Sequence, residues 1–199
     1  MADRIRKPRQ TRSIETKHKI IEAGLDIFCE KGYYNTTTAE IAKVAGVSTG
    51  IVYGYFRDKK DVFLQSLDLY FSRIQKPIEE TINAAGADES LEQTLREFVD
   101  AFITSHRENA LSHEEMIAMS HLDPDVSEAF IKSEREYTAL IKDHLLKLGL
   151  DVPDMEEKVH IAYNMIDSLC HECVYHQHAD IDYTVMKNKT VELMLYLFR

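Results

Sequence analysis

Hydroxyl and cationic side chains recur in one short segment near the start of the chain, at spacings that suit contacts with phosphate groups. Thr37 and Glu40 form the Thr-x-x-Glu pattern of a capping box, which begins a helix, and Ser48 is placed to begin a second one. Hydroxyls and backbone N–H groups at helix N-termini bind phosphate oxygens. The lysine pair Lys59 and Lys60 follows just downstream. These residues predict a surface that binds a polyanion.

Two short helices must hold these groups, and the four residues Ala45-Gly46-Val47-Ser48 join them. Gly46 supplies the backbone freedom that a tight corner needs. Ile41, Ala42 and Val52 are apolar and can close a small core between the helices, while the second helix stays exposed. A plain helical hairpin would show the same pattern, but the neighbouring basic residues favour a helix-turn-helix that enters a DNA major groove.

Charge is distributed unevenly along the 199 residues. Residues 1–60 hold 12 Lys and Arg against 7 Asp and Glu, whereas residues 61–199 hold 12 against 27. A basic N-terminal region followed by an acidic remainder is typical of a chain whose N-terminal region binds DNA. We interpret residues 1–13, which show no helical stripe, as a flexible basic arm. We expect this arm to add phosphate or minor-groove contacts through four of its side chains, which are Arg6, Lys7, Arg9 and Arg12. The alternative is a tail without a role in DNA binding.

Residues 37–62, TTAEIAKVAGVSTGIVYGYFRDKKDV, closely resemble the DNA-binding signature of the TetR family of one-component regulators. The resemblance covers about residues 14–62, and the rest of the chain matches the family only in the number and length of its helices. It implies a homodimeric, sequence-specific transcriptional repressor. A small, mostly apolar organic ligand would release such a repressor from a palindromic operator by shifting the fourth helix.

The resemblance implies a role in DNA binding for eight residues: Thr37, Ser48, Thr49, Gly50, Tyr53, Tyr55, Lys59 and Lys60. Thr49 and Gly50 would lead the recognition helix into the groove. Tyr53 would project toward the DNA backbone or a thymine methyl group, and the lysines toward phosphates. Tyr55 has an equal alternative, which is to pack beside Phe56 against the first helix.

Helical spacing of apolar residues continues through the chain and never changes to the period-two alternation of strands. We therefore predict an all-α protein of about nine helices, with a three-helix N-terminal domain at residues 14–60 and a larger effector-binding and dimerisation domain at residues 61–199. Asp58 is expected to cap a long fourth helix that Pro77 bends or interrupts. Residues 84–88 are expected to form a linker.

An effector site is implied for the middle helices, where aromatic and methionine side chains suit a mostly apolar ligand. The candidate lining residues are Phe98, Phe102, Met116, Met119, Phe130, Tyr137 and Tyr163. Asp167 could pair with a cationic ligand or lie at the edge of a dimer. For each apolar residue, an ordinary position in the core is the alternative.

Apolar stripes at three-four spacing in the last two helices predict a dimer interface, because two such helices can pair with their symmetry mates as a four-helix bundle. The predicted interface residues are Ile166, Leu169, Cys173, His176, Met186, Leu193 and Leu197. The alternative is that these stripes face only the core of their own domain.

A metal- or thiol-responsive regulator is the alternative function, because Cys170, Cys173 and His176 lie along one helix. The spacings of well-defined zinc sites are absent, and two thiols on one helix have poor disulfide geometry, so we predict no metal and no cofactor.

A Gly-rich phosphate loop, a nucleophile elbow and a His-Glu-x-x-His motif are also absent, which argues against an enzyme. Three cysteines and no signal peptide or long apolar run predict a cytoplasmic chain outside the membrane.

Overall fold

The computed structural model describes residues 11–84 and 90–199, without the side chain of Ile82. Over these ranges the chain forms α-helices and no strands, which confirms the predicted all-α class. The nine helices there are α1 (Thr11–Lys31), α2 (Thr38–Val44), α3 (Thr49–Tyr55), α4 (Lys59–Ala84), α5 (Leu91–Glu108), α6 (Ala110–Leu122), α7 (Pro124–Lys147), α8 (Met155–Val174) and α9 (Tyr183–Leu197). Residues 1–10 of the predicted arm and residues 85–88 of the predicted linker lie outside the described ranges. Arg12 lies within α1.

The helices group into two compact units. Unit 1 comprises residues 1–72 and 111–130, and unit 2 comprises residues 73–110 and 131–199. The predicted boundary after residue 60 differs from this division. Sequence patterns group residues that are neighbours along the chain, whereas α6 joins unit 1 through contacts between residues far apart in sequence.

Unit 1 is built on a close approach of α1 to the start of α4. A Cβ atom at Gly24 would lie 2.7 Å from Val62 Cγ1, so only glycine permits this packing. Buried side chains fill the space between α1, α2, α3 and α4, and the largest of them are Ile20, Leu25, Phe28, Ile41, Phe56 and Phe63. At about 25 cal/mol per Å² of apolar area removed from water, this core supplies the main stabilisation of the unit.

Local capping decides where several helices begin. Thr37 Oγ1 accepts a hydrogen bond from Glu40 N, and Glu40 Oε2 accepts one from Thr37 N, so the predicted capping box is present. Asp58 Oδ1 accepts from Asp61 N at 2.8 Å at the start of α4. Ser48 holds the predicted N-cap position of α3, but its side chain makes no capping hydrogen bond.

Helix α4 does not end at Pro77, so the interruption that the sequence allows there is absent. The helix continues to Ala84, although proline removes one helical hydrogen bond and its ring crowds the carbonyl four residues earlier. Ile78, fully buried in the core of unit 2, stabilises the helix beyond the proline. Tertiary packing therefore outweighs the local cost.

Unit 2 packs α5, α8 and α9 around a continuous apolar core, to which α7 also contributes. Val99, Ile166, Leu169 and Val191 are among its buried members, each at most 1% exposed. Burial of this kind makes the core close-packed, so that side chains added to it or removed from it are poorly tolerated.

Candidate DNA-binding interface and effector site

Helix α3 presents one face to the core of unit 1 and the other to solvent. Val52 is fully buried beneath it, whereas Tyr53 is 53% exposed. Thr49, Gly50 and Gly54 also remain outside the core, and no neighbouring atom lies within 4 Å of the position of a Cβ at Gly54. The outward face is therefore narrow and free of obstruction, as a helix needs to enter a groove.

The corner between α2 and α3 turns at Gly46, whose φ of +67° lies in the left-handed region that favours glycine. Val47 N donates to Ala42 O at 3.0 Å, and Gly46 N donates to Lys43 O at 3.2 Å. These bonds close the end of α2 and fix the direction in which α3 leaves it. The turn is the one that the sequence predicts for a helix-turn-helix.

Two of the predicted DNA-binding side chains also contact α2 or its cap. The Tyr53 hydroxyl donates to Thr38 Oγ1 at 3.4 Å, and the Thr37 hydroxyl donates to Glu40 Oε2 at 2.8 Å. Thr37 and Tyr53 remain exposed beside Ser48 and Gly50. The hydroxyl groups at the N-termini of α2 and α3 therefore lie on the surface, where phosphate oxygens could reach them.

Tyr55 adopts the packing alternative. It is half-buried, and its hydroxyl lies 2.9 Å from Ser13 Oγ of α1 in a hydrogen bond. The sequence alone allows both roles, because an amphipathic tyrosine can bind a phosphate or pack against α1 with its hydroxyl in a hydrogen bond. The structure gives the Tyr55 hydroxyl a partner within unit 1.

Lys59 and Lys60 also have partners inside unit 1. Lys59 Nζ donates to Tyr33 O at 2.7 Å and lies over the Tyr33 ring at 4.3 Å from its centroid, and burial lowers the pKa of this lysine. Lys60 Nζ lies 2.8 Å from Asp123 Oδ2 and 2.7 Å from Asp125 Oδ2, and the hydrogen bonds that it donates to the two carboxylates raise its pKa. A contact of either lysine with a phosphate would require it to exchange these partners.

Four of the predicted effector residues come together in unit 2. We call Phe98, Phe102, Tyr137 and Tyr163 the ring cluster, because their centroids lie 5.3 to 6.5 Å apart in five pairs. Met116 and Met119 are not part of it, since they are buried in α6 of unit 1. Phe130 also lies in unit 1, against Phe71.

Asp167 lies between two imidazoles, of which the first, His106, received no functional assignment from the sequence. Its Oδ1 is 3.6 Å from His106 Nε2, and its Oδ2 is 3.7 Å from His171 Nε2. We call these three residues the acceptor cluster. The Asp167 side chain is 35% exposed, so the cluster is reached from solvent. The signal for His106 in the sequence is its place in the apolar stripe of α5, four residues after Phe102.

A narrow apolar cavity of about 30 Å³ adjoins the ring cluster within unit 2. Phe98, Tyr163 and Ile166 line it, together with His144, which the sequence reading also missed. This volume has room for about two water molecules, so an organic ligand could enter only if side chains moved. His144 Nε2 is buried there without a hydrogen-bond partner, and burial lowers the pKa of this histidine.

Part of the predicted dimer interface requires correction. Ile166 and Leu169 are each 1% exposed and Cys173 is buried with them in the core of unit 2, so they have little surface to bury against a second chain. Their stripe faces their own core, which was the stated alternative. His176, Met186, Leu193 and Leu197 retain exposed area.

The surface that α8 and α9 do present is apolar at other positions. Ile161, Leu193 and Tyr196 are large exposed hydrophobic residues of these two helices. A shallow groove between the helices is lined by His160, Ile161, Asn164, Met165, Ser168, Leu169, Met186 and Thr190. The sequence did not separate this outer face of α8 from its inner face, because both carry apolar residues at helical spacing.

Cys170, Cys173 and His176 do not come together as one group of metal ligands. Cys170 and Cys173 are buried, whereas His176 is exposed beyond the end of the helix. Throughout residues 11–84 and 90–199, no group of three or more His, Cys, Asp or Glu side chains could hold a metal ion. Burial raises the pKa of both thiols, which disfavours the reactive thiolate.

No helix among the described residues is both long enough and apolar enough to cross a membrane.

Comparison with known proteins places the N-terminal region in a family. The sequence model described as "Bacterial regulatory proteins, tetR family" matches residues 20–65. The regulator HbdR of Aromatoleum sp. (strain CIB) is 45% identical over 69 residues, which are 33% of this chain and 30% of HbdR. The regulator CymR of Pseudomonas putida is 22% identical over 193 residues, which are 94% of this chain and 93% of CymR.

A solved structure shows that the fold extends beyond this region. A Mesorhizobium loti protein assigned to the TetR family superposes with a TM-score of 0.75 at 21% identity, covering 94% of this chain and 98% of that one. This likeness concerns the fold alone. The match to HbdR spans less than a third of that relative. These relatives are regulators, in agreement with the prediction that the chain is not an enzyme.

Proposed function

We propose that this chain, which belongs to the TetR family of bacterial regulatory proteins, represses transcription as a homodimer that a small organic ligand releases from operator DNA. The observation that carries the proposal is the exposed face of α3, held above buried Val52 by the Gly46 turn. A helix presented in this way, with hydroxyl groups at its N-terminus, suits a major groove flanked by phosphates.

The proposed contacts are shared between the backbone and the bases of DNA. Thr37 and Ser48 face phosphates at the starts of α2 and α3, and Thr49 and Gly50 lead α3 into the groove. Tyr53 reaches the DNA backbone or a thymine methyl group. Lys60 binds phosphate only after leaving its two carboxylates, so we assign it a smaller part than the sequence alone suggests.

A homodimer follows from the need to read two half-sites, since one short recognition helix binds weakly by itself. We propose the outer face of α8 and α9 as the interface, around Ile161, Leu193 and Tyr196. Met186 and Leu197, which retain exposed area, belong to the same proposal. A twofold interface would set the spacing of the two α3 helices and hence the operator symmetry.

Ligand release requires that the ligand bind one conformation better than the other. The proposed ligand enters unit 2 beside the ring cluster and enlarges the narrow cavity there. Helix α4 contributes residues to both units. A displacement of its second half would therefore change the separation of the two recognition helices of the dimer. The free protein should therefore gain thermal stability from any compound that releases DNA.

Selection of bound genomic fragments by the purified protein, at near-physiological salt, tests DNA binding directly. We expect a palindromic sequence to be enriched, and Tyr53→Ala to weaken binding to it by about tenfold or more, because a groove contact is lost. Leu111→Ala is the matched control, since it removes a large exposed side chain of α6. Absence of enrichment, or equal loss in both variants, would contradict the proposal.

A further inference from the structure

The outward face of α3 has glycine at its centre. Successive residues of a helix are rotated by about 100°, so Gly50 and Gly54 lie opposite the fully buried Val52. A Cβ atom at Gly54 would have no neighbour within 4 Å, and one at Gly50 would have only Ser48 Oγ, at 4.0 Å. Two glycines one turn apart leave the backbone of α3 uncovered on this face, so base edges can approach it closely.

Two large side chains stand on either side of these glycines. Ile51 is 41% exposed and Tyr53 is 53% exposed, and the rotation of the helix places them on opposite flanks of the uncovered backbone. The Tyr53 hydroxyl donates to Thr38 Oγ1 at 3.4 Å, whereas the Ile51 side chain consists only of hydrocarbon. The exposed apolar surface of α3 is therefore mainly that of Ile51 and of the Tyr53 ring.

The side chains that read bases by paired hydrogen bonds do not occur in α3. Its seven residues, Thr49–Tyr55, include no Arg, Lys, Asn, Gln, Asp or Glu, which are the side chains that distinguish guanine, adenine and cytosine in the major groove. The Thr49 hydroxyl can both donate and accept, so it discriminates poorly. The Tyr55 hydroxyl already bonds with Ser13 Oγ at 2.9 Å. Helix α3 therefore has little capacity to select a base by hydrogen bonding.

Thymine is the base whose major-groove edge carries an apolar group, the C5 methyl. Contact between this methyl group and a hydrocarbon side chain removes both from water, which strengthens binding by about fourfold per methyl group. Ile51 presents such a side chain beside the uncovered backbone of α3. The exposed surface of α3 is therefore better suited to thymine than to the other three bases.

We infer that α3 recognises its operator through thymine methyl groups, and that Ile51 is a specificity-determining residue that packs against one of them in each half-site. This inference rests on the proposed function, because it names the base that the proposed DNA-binding face recognises. The role of Ile51 differs from that of the hydroxyl groups and lysines of unit 1, since contacts with phosphates carry no sequence information.

Replacement of thymine by deoxyuridine tests the inference, because uracil lacks only the C5 methyl group and keeps the O4 acceptor and the base pair. Each thymine of the operator obtained by fragment selection is replaced in turn, at the matching positions of both half-sites, and the affinity of the full chain is measured by fluorescence anisotropy. We expect at least one replacement to weaken binding by about tenfold or more, since two methyl contacts are lost. Equal affinity for every uracil-containing operator would overturn the inference.

Variants at position 51 identify the side chain that contacts the methyl group. In Ile51→Ala the same replacement should weaken binding by at most about twofold, whereas Ile51→Val should keep most of the wild-type loss. Val44→Ala, which shortens another exposed apolar residue at the end of α2, is the matched control and should keep the full loss. Position 51 is exposed and alanine favours helix, so the fold tolerates the change. A loss as large in Ile51→Ala as in the wild type would overturn the assignment.

Failure of the inference and failure of the proposed function give different results. The unmodified operator tests whether the chain binds DNA, so lack of binding to it would contradict both. Tight binding to the unmodified operator without any dependence on thymine methyl groups would contradict the inference alone. Titrations at low salt keep the weakened complexes measurable, because phosphate contacts strengthen as the salt concentration falls.

Discussion

One carboxylate, that of Glu40, holds three groups at the start of α2. It accepts hydrogen bonds from Lys31 Nζ at 2.9 Å, from Thr37 N at 2.9 Å and from the Thr37 hydroxyl at 2.8 Å. The bond from Lys31 contributes most to lowering the pKa of Glu40 from 4.5 to about 2, and the bonds from Thr37 add to it. The same carboxylate therefore connects α1 to the first helix of the DNA-binding pair.

The contribution of Glu40 to stability should depend on pH. Because its pKa is lower in the folded chain, its contribution is present above pH 4.5 and is lost as pH falls toward about 2. Carboxyl titration by NMR should give the low value in the wild type and a value shifted toward 4.5 in Lys31→Met. Lys43→Met, which removes another exposed lysine of unit 1, is the control. An ordinary pKa in the wild type would contradict the hydrogen-bonded arrangement.

At this scale the sequence predicts what is local. Thr37 and Glu40 are three residues apart, and their pattern alone indicates a capping box. The partner Lys31 belongs to another helix, and the partners of Lys60 stand more than sixty positions away. No spacing rule connects such residues. We therefore predicted from the sequence that Lys60 binds phosphate, whereas in the structure it pairs with Asp123 and Asp125.

Helix α6 is attached to the turn that follows α1. Glu115 Oε1 accepts from Tyr33 N at 2.6 Å, while Lys59 holds the carbonyl of the same residue at 2.7 Å. The backbone N–H and C=O of Tyr33 are thus each held by a side chain from a different helix of unit 1. The turn leads directly into α2, so α6 helps to position the DNA-binding helices.

Hydrogen exchange tests this attachment. Glu115→Ala should make the Tyr33 amide exchange about tenfold faster or more, because the amide loses its acceptor. Glu114→Ala removes the neighbouring exposed carboxylate of α6 and should leave Tyr33 protected. Unchanged exchange at Tyr33 in Glu115→Ala would show that the bond does not hold the turn.

Helices were easier to predict than their surroundings. Caps at Thr37 and Asp58 are visible in the sequence and mark helix starts within one or two residues. Pro77 does not interrupt α4, because its effect depends on the core that surrounds the helix. The stripe containing Ile166 misled for a related reason, since spacing shows that a face is apolar but not what covers it.

We propose that the whole molecule binds DNA as a dimer. Its charge distribution supports DNA binding by residues 1–60, which are net basic, and not by residues 61–199, which are net acidic. The apolar residues left on α8 and α9 are then the ones that a second copy would cover. Patches of this kind on a single chain commonly mark an interface. The ring cluster lies within unit 2, so effector binding need not involve the partner chain.

The variant Leu193→Glu tests whether the outer face of α8 and α9 forms the interface between two copies of the chain. Leu193 is 57% exposed, so a charge there is tolerated in one chain, but an interface would bury it without a partner at a large cost. We expect the wild type to sediment as a dimer and the variant as a monomer, with operator affinity reduced by about 100-fold as the second half-site is lost. Leu146→Glu, at an exposed position of α7, should remain dimeric. A dimeric Leu193→Glu would move the interface elsewhere, and a monomeric wild type that still bound a palindrome would make dimerisation a consequence of DNA binding.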